Sequence, residues 1–303
     1  MTGGAWFSRW LGRSSPTAPG GVASRYQLQE EIGRGGMAVV YRAIDTQTGR
    51  PVAVKRLALS RAFAAADVPQ ICQRFAQEAA VAQRLDHPDI LRVVDAGRSQ
   101  DDQDAWMVME LASGHDLGAF VRAPHLLPVV EVVQIAARLA RALAYAHRCG
   151  VVHRDVKPSN VMWDHASAQL RLMDFGVARL HNSSHTGTGM VLGSPTYMAP
   201  EVLTGLPADG RSDIYALSVL LFELLTGALP HHSDNFADLI QQVAHESAPD
   251  VRRYCPGLSE GLALVVALGL HKHPKLRYQD ADTMAQDLEL VLRLGVGRRG
   301  NVD

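Results

Sequence analysis

The rhythm of hydrophobic and polar positions changes once along this chain. From Tyr26 to about Glu110 the period is close to two. "YQLQEEI" (26–32) alternates, "AVVYRAI" (38–44) is rich in β-formers, and "PVAVKRL" (51–57) follows a Thr48-Gly49 turn. "AWMVMEL" (105–111) continues the strand pattern. One helical stretch interrupts it, roughly Gln70–Leu85, and stops before the "DHPDI" turn at 86–90. From about Pro128 the spacing becomes three to four: Val132, Val133, Ala136, Leu139, Ala140 and Leu143, and later Leu217, Leu220, Leu221, Leu224 and Leu225. A short strand, "VMW" (161–163), lies between, and a helix from about Asp282 to Leu294 closes the pattern. The expectation is an α+β chain: a small β-rich lobe with one main helix over about 26–110, then a larger helical lobe over about 111–294.

The ends carry different signals. "SSPTAPGGVAS" (14–24) is a Ser/Pro/Gly-rich linker, so residues 1–25 are expected to form a flexible tail. Before the linker, "AWFSRWLGR" (5–13) would put Trp6, Phe7, Trp10 and Leu11 on one helical face. It is either a disordered tail or a segment that docks on a membrane surface or a partner. Residues 295–303 form a polar tail.

Composition narrows the choice of class. The chain has 303 residues, enough for one large domain or two lobes, with 47% hydrophobic and 20% charged positions. Thirty Lys and Arg balance 31 Asp and Glu, so there is no global basic field for nucleic acid. Cys72, Cys149 and Cys255 are scattered, which argues against a disulfide framework and for a reducing cytoplasm. The longest apolar run, Leu262–Leu270, is too short to span a bilayer. The N-terminus also lacks a signal-peptide core, so a soluble, cytoplasmic protein is expected.

Residues 33–41, "GRGGMAVVY", crowd Gly33, Gly35 and Gly36 beside a strand, a pattern suited to phosphate binding by backbone N–H groups. A Walker A loop would need Gly-Lys-Ser/Thr opening a helix, and that is absent. A dinucleotide fingerprint would also need a helix after its glycines. Here Val39, Val40 and Tyr41 continue as strand, so the glycines make a hairpin lid. Lys55 in "VAVK" lies one hairpin further on and can neutralise phosphates. Glu78, sharing a helix with Phe75, Ala79 and Ala82, can hold that lysine. "HRDVKPSN" (153–160) places Asp155, Lys157 and Asn160 in one short loop, and "LMDFG" (172–176) adds Asp174. Asn160 and Asp174 offer oxygen ligands suited to Mg²⁺. Asp155 can accept or orient a hydroxyl proton, and Lys157 can counter charge on a moving phosphoryl group.

In this order the motifs resemble a eukaryotic-type (Hanks-type) serine/threonine protein kinase of the bacterial branch, over roughly residues 26–294. "APE" (199–201) resembles the end of an activation segment, Asp213 in "RSDIYALS" the aspartate that braces the catalytic loop, and Arg277 the arginine that pairs with Glu201. The resemblance implies transfer of the ATP γ-phosphoryl, with Mg²⁺ or Mn²⁺, to Ser or Thr hydroxyls of proteins in bacterial signalling. Asp155, Lys157, Lys55 and Glu78 would carry the catalysis, and Asn160 and Asp174 would hold the metal. Nucleotide contacts would come from Ile32, Gly33, Arg34, Gly35, Gly36, Met37, Ala38, Val40, Ala53, Lys55, Met109, Glu110, Ala112 and Met162. Lys157, two residues after Asp155, resembles the Ser/Thr mark of the family.

The resemblance also implies regulation. Arg154 and Arg179 suit a phosphate on the loop between them and "APE", and Thr186 and Thr188 are spaced like an autophosphorylated pair. Ser194 stands where the family usually has Thr and keeps the hydroxyl. Expected partners are protein substrates and a second copy of the chain, with no nucleic acid. The competing reading is a pseudokinase scaffold, whose sign would be loss of Lys55, Asp155, Asn160 or Asp174. None is lost.

Overall fold

The computed structural model describes residues 25–35, 38–58, 68, 75, 79–98, 104–175 and 195–297. Several expectations therefore lie outside the described residues: Gly36, Met37, Glu78, Arg179, Thr186, Thr188, Ser194 and the Trp6–Leu11 segment. The chain divides into two compact units, one holding residues up to Gln83 plus Val93–Leu111, the other Arg84–Arg92 plus everything from Ala112 on. The α+β class expected from the periodicity is the class observed.

The first unit is an antiparallel sheet in the order β1-β2-β3-β5-β4. Its strands are β1 (Tyr26–Arg34), β2 (Ala38–Asp45), β3 (Pro51–Ala58), β4 (Val93–Arg98) and β5 (Asp104–Glu110). Period-two alternation sends the side chains to two faces. Tyr26, Ala43, Val52, Val54, Trp106 and Val108 form a buried cluster on one face, where the Tyr26 hydroxyl donates to Asp95 Oδ2 at 2.9 Å. On the other face the register sets Val40 opposite Lys55, Lys55 opposite Met107, and Ala53 opposite Met109. The β2–β3 turn is built by Asp45, whose carboxylate accepts from the Gln47 amide and the Thr48 hydroxyl. Gly49 closes the turn at φ +69°, a left-handed conformation that glycine adopts without a Cβ penalty.

The second unit is helical. Its helices are α1 (Val129–Arg148), α2 (Pro200–Leu203), α3 (Gly210–Thr226), α4 (Phe236–His245), α5 (Glu260–Gly269) and α6 (Ala281–Leu294). α3 is apolar nearly all round and buried from Ser212 to Leu225, as expected of a central helix. Asp209 caps its start by accepting from the Arg211 amide, and Gly227 at φ +77° ends it. α1 buries Val132, Val133, Ala136, Leu139, Ala140 and Leu143, the positions that its periodicity predicted. Arg141 on α1 reaches both Glu289, with two bonds of 2.9 Å, and Asp282, at 2.5 Å, and so ties α1 to α6.

A small sheet, β6 (His115–Asp116), β7 (Val161–Asp164) and β8 (Gln169–Leu172), lies in the same unit. Residues 84–92 belong with it. The Leu172 amide donates to Asp89 O at 2.8 Å, and the Leu91 amide donates to Leu172 O at 2.9 Å. Among the described residues no helix is long and apolar enough to cross a membrane.

Candidate active site

The loop after α1 is held from below by one carboxylate. Asp213, in the first turn of α3, is 1% exposed and accepts from the His153 amide at 2.8 Å and the Arg154 amide at 2.7 Å. His147 Nε2, on the last turn of α1, lies 2.8 Å from the same carboxylate. Arg154 sits at φ +68°, and such strain in a non-glycine residue persists only where its surroundings over-determine it. The two amide bonds to a buried carboxylate supply that determination.

His153 connects this loop to residues 173–175. The Asp155 amide donates to its Nδ1 at 3.2 Å, so Nε2 carries the proton and donates to Met173 O at 2.8 Å. Burial pushes the imidazole below its ordinary range and keeps it neutral. Its ring packs 4.6 Å from that of Phe175. Between them Asp174 takes φ +59°, a second strained non-glycine position.

The polar side chains of the loop meet directly. Lys157 Nζ is 2.7 Å from Asp155 Oδ2. Asn160 Nδ2 donates to Asp155 O at 2.8 Å and to Asp155 Oδ2 at 2.9 Å. A backbone carbonyl only accepts, so the amide nitrogen is the atom facing Asp155, and the amide oxygen is on the other branch. The Met173 amide bonds Asn160 O at 2.8 Å and brings Asp174 beside the loop. An amide oxygen together with a carboxylate is a donor set that fits a hard divalent cation such as Mg²⁺. Met162 lies on β7, half-buried and paired with Asp116 and Arg171.

Downstream, Glu201 and Arg277 form a bidentate buried pair with bonds of 2.8 and 2.7 Å. Burial alone would raise the Glu201 carboxyl, but the Arg277 guanidinium outweighs it and holds the group below its ordinary value. The Tyr197 hydroxyl donates to Glu223, whose own carboxyl burial pushes up.

In the β unit, the Gly35 amide donates to Ala38 O at 2.8 Å and closes the β1–β2 hairpin. A Cβ on Gly33 would come no closer than 3.8 Å to Val40, and one on Gly35 would lie 3.8 Å from Ala38 O. Neither glycine has positive φ. Among the described residues, neither the packing nor the backbone of the hairpin therefore calls for glycine. A turn without side chains at these positions suits close approach of a phosphate to main-chain N–H groups. Gly33 and Arg34 pair with Val40 and Val39, and Ile32 is half-exposed. Ala53 and Met109 are buried, and Lys55 lies on their face. β5 ends at Glu110, and Ala112 opens the second unit.

The described residues thus bring Asp155, Lys157, Asn160 and Asp174 together, and place Val40, Ala53, Lys55 and Met109 on one sheet face. Roles that sequence reasoning missed belong to His147, to His153 as a neutral link, and to Tyr197. Only the position of His153 next to Arg154-Asp155 offered a signal.

Residues 26–287 match the protein kinase domain family. The chain is 40% identical over 287 residues to a probable serine/threonine-protein kinase of Corynebacterium efficiens, covering 91% of this chain and 43% of that protein. It is 37% identical to serine/threonine-protein kinase PknB of Mycobacterium tuberculosis, with 91% and 44% covered. It is 35% identical to PrkC of Bacillus subtilis, with 88% and 40% covered. The chain therefore spans less than half the length of these curated relatives. Among solved structures, the kinase domain of Mycobacterium tuberculosis PknI superposes with a TM-score of 0.72 at 29% identity, over 92% of this chain and 99% of that one. The motif order, the linked catalytic loop and these likenesses agree: the chain belongs to the protein kinase family.

Proposed function

We propose that this chain is an active serine/threonine protein kinase that transfers the γ-phosphoryl of ATP to protein hydroxyls in bacterial signalling. The observation that carries the reading is the bonded set Asp155, Lys157 and Asn160, with Asp174 tied to it through Met173. Asp155 orients the substrate hydroxyl and takes its proton, while Lys157 balances charge on the phosphoryl group as it moves. Asn160 and Asp174 would hold Mg²⁺ or Mn²⁺, which would supply neutralisation of phosphate charge. Lys55, held by Glu78, binds the α- and β-phosphates. Gly33, Arg34, Gly35, Gly36, Met37 and Ala38 cover the phosphates with backbone. Ile32, Val40, Ala53, Met109, Glu110, Ala112 and Met162 are assigned to the nucleoside.

Lys157 and the hydroxyl at Ser194 support Ser/Thr specificity, and the reading places the protein in the cytoplasm. Autophosphorylation of Thr186 or Thr188, answered by Arg154 and Arg179, is the proposed activating step. The test is Mg-ATP with a generic protein substrate, comparing the natural chain with Asp155→Asn. Transfer by the natural chain alone supports the reading. Absence of transfer by both supports a nucleotide-binding scaffold instead. For the activating step, full activity of the Thr186→Ala/Thr188→Ala protein, with no phosphate on that loop by mass spectrometry, would overturn it.

A further inference from the structure

The two residues before Asp174 are gripped from opposite sides. On the inner side, Met173 is bonded through its amide to Asn160 O and through its carbonyl to His153 Nε2. On the outer side, both backbone groups of Leu172 are taken by the segment 89–91, at Asp89 O and the Leu91 amide. β8 is an edge strand, so this short parallel bridge at Ile90 and Leu172 is what closes its outer edge there. The strained φ of Asp174 needs such grips on its neighbours.

The outer grip depends on a charge pair. The Asp89 side chain is 9% exposed. Its carboxylate is met by Arg138 of α1, through Nε at 3.3 Å and through a second, shorter bond from Nη2. The same guanidinium donates from Nη1 to Ala168 O at 2.8 Å, at the β7–β8 turn. It also lies over the Trp163 ring, 5.8 Å from its centroid. Arg138 therefore fixes the segment outside β8, the turn that begins β8 and the strand beside β8 with one side chain. Without it, Asp89 would be a buried charge with its principal partner gone. The cheapest relief is for residues 89–91 to move toward water, and that movement releases Leu172.

We propose that Arg138 is a positioning residue for the metal-binding aspartate: through Asp89 it holds residues 89–91 against Leu172 and so fixes Asp174. The inference rests on the kinase reading for its consequence, but its first readout needs neither metal nor turnover. In hydrogen exchange on the protein without metal or nucleotide, Arg138→Ala should speed exchange in the peptide carrying Leu172–Asp174 and leave α3 unchanged. With a fluorescent ADP, the Mg²⁺ concentration for half-maximal binding should rise about tenfold, as for lost outer-shell partners of metal ligands, while ADP binding in EDTA stays within about twofold. Asp89→Asn added to Arg138→Ala should recover much of both effects, because it removes the stranded charge. Arg138→Lys should shift Mg²⁺ dependence in the same direction by less, and serves if the alanine variant does not fold.

Unchanged exchange at 172–174 together with an unchanged Mg²⁺ midpoint would overturn the inference. So would equal losses with and without Mg²⁺ that Asp89→Asn does not relieve, since these mark general damage. Failure of the natural chain to transfer phosphate would sink the kinase reading alone, because exchange and Mg²⁺-dependent ADP binding are read without transfer.

Discussion

The crossing of α3 and α5 offers a sharp test of how tightly the helical unit is packed. Gly269 on α5 faces Ser218 on α3, which is fully buried and whose hydroxyl donates to Ile214 O at 2.8 Å. A Cβ on Gly269 would stand 1.9 Å from Ser218 Oγ and 2.8 Å from Ser218 Cβ. Rotating the serine relieves the first contact but breaks the Ile214 bond, at a cost of about 1 kcal/mol. The second contact remains: carbons touch comfortably at about 3.5–4.0 Å, so the helices must part by about 0.7 Å or more. Such overpacking costs about 1–3 kcal/mol. Gly269 lies in ordinary helical backbone, so alanine regains at most about 1 kcal/mol of helix propensity. Gly269→Ala should therefore destabilise by about 2 kcal/mol, lowering Tm by roughly 4–8 °C for a unit of this size. Ser218→Gly alone should cost about 1 kcal/mol, for a glycine inside a helix. In the double variant the alanine methyl occupies the space the serine leaves, so the two changes should compensate by about 2 kcal/mol. Urea unfolding of the four proteins with a common m-value measures the cycle. Additivity within about 0.5 kcal/mol, or a neutral Gly269→Ala, would show that the crossing is looser than its geometry implies.

Arg277→Met should destabilise by about 3–5 kcal/mol in urea unfolding, because it strands the buried Glu201 carboxylate, and Glu201→Gln on top should recover part of the loss. Asp213→Asn turns one acceptor into a donor facing the His153 and Arg154 amides, so kcat should fall about a hundredfold while KM for ATP moves much less. Gly35→Val should leave Tm nearly unchanged, since its Cβ meets only an ordinary contact, yet raise KM for ATP about tenfold or more by blocking close approach to the backbone. His231, buried beside Lys272, is pushed down from 6.5 to about 4, first by burial and then by the lysine charge. Its folded value lies below its unfolded one, so its stabilisation is complete above about pH 6.5 and is lost as pH falls toward 4. Tm should then drop less between pH 7 and pH 5 in His231→Gln than in the natural chain, and an equal or steeper drop would refute this.

Features carried by contiguous residues were legible in the sequence. Alternation and β-forming residues marked β1 to β3, and the three-to-four spacing of Leu217, Leu220, Leu221, Leu224 and Leu225 marked α3. Asp155, Lys157 and Asn160 were visible as a set because one turn of chain presents all three. Asp213 and Arg277 were legible only through resemblance, since their partners lie 60 and 76 residues away in the chain. The attachment of residues 84–92 to β8 left no trace, because it is made by main-chain groups at Asp89, Leu91 and Leu172, which every sequence possesses. Arg138 looked like an ordinary polar position on α1. Only the folded chain shows that Asp89 is buried and needs it. His147 was hidden for the same reason, its carboxylate partner being on another helix.

The placement of residues 84–92 also bears on how the chain can be made and cut. The polypeptide passes between the two units three times, at 83–84, 92–93 and 111–112, instead of once. No single break separates the units into complete pieces. A fragment ending at Leu111 carries away the segment that bonds Leu172 of β8, and a fragment beginning at Ala112 lacks it. During synthesis the segment emerges well before β8 exists, so the Asp89 carbonyl and the Leu91 amide lack their Leu172 partner until that residue has left the ribosome. A peptide spanning residues 84–92, supplied in trans, is the piece that a fragment starting at Ala112 would need to complete its small sheet.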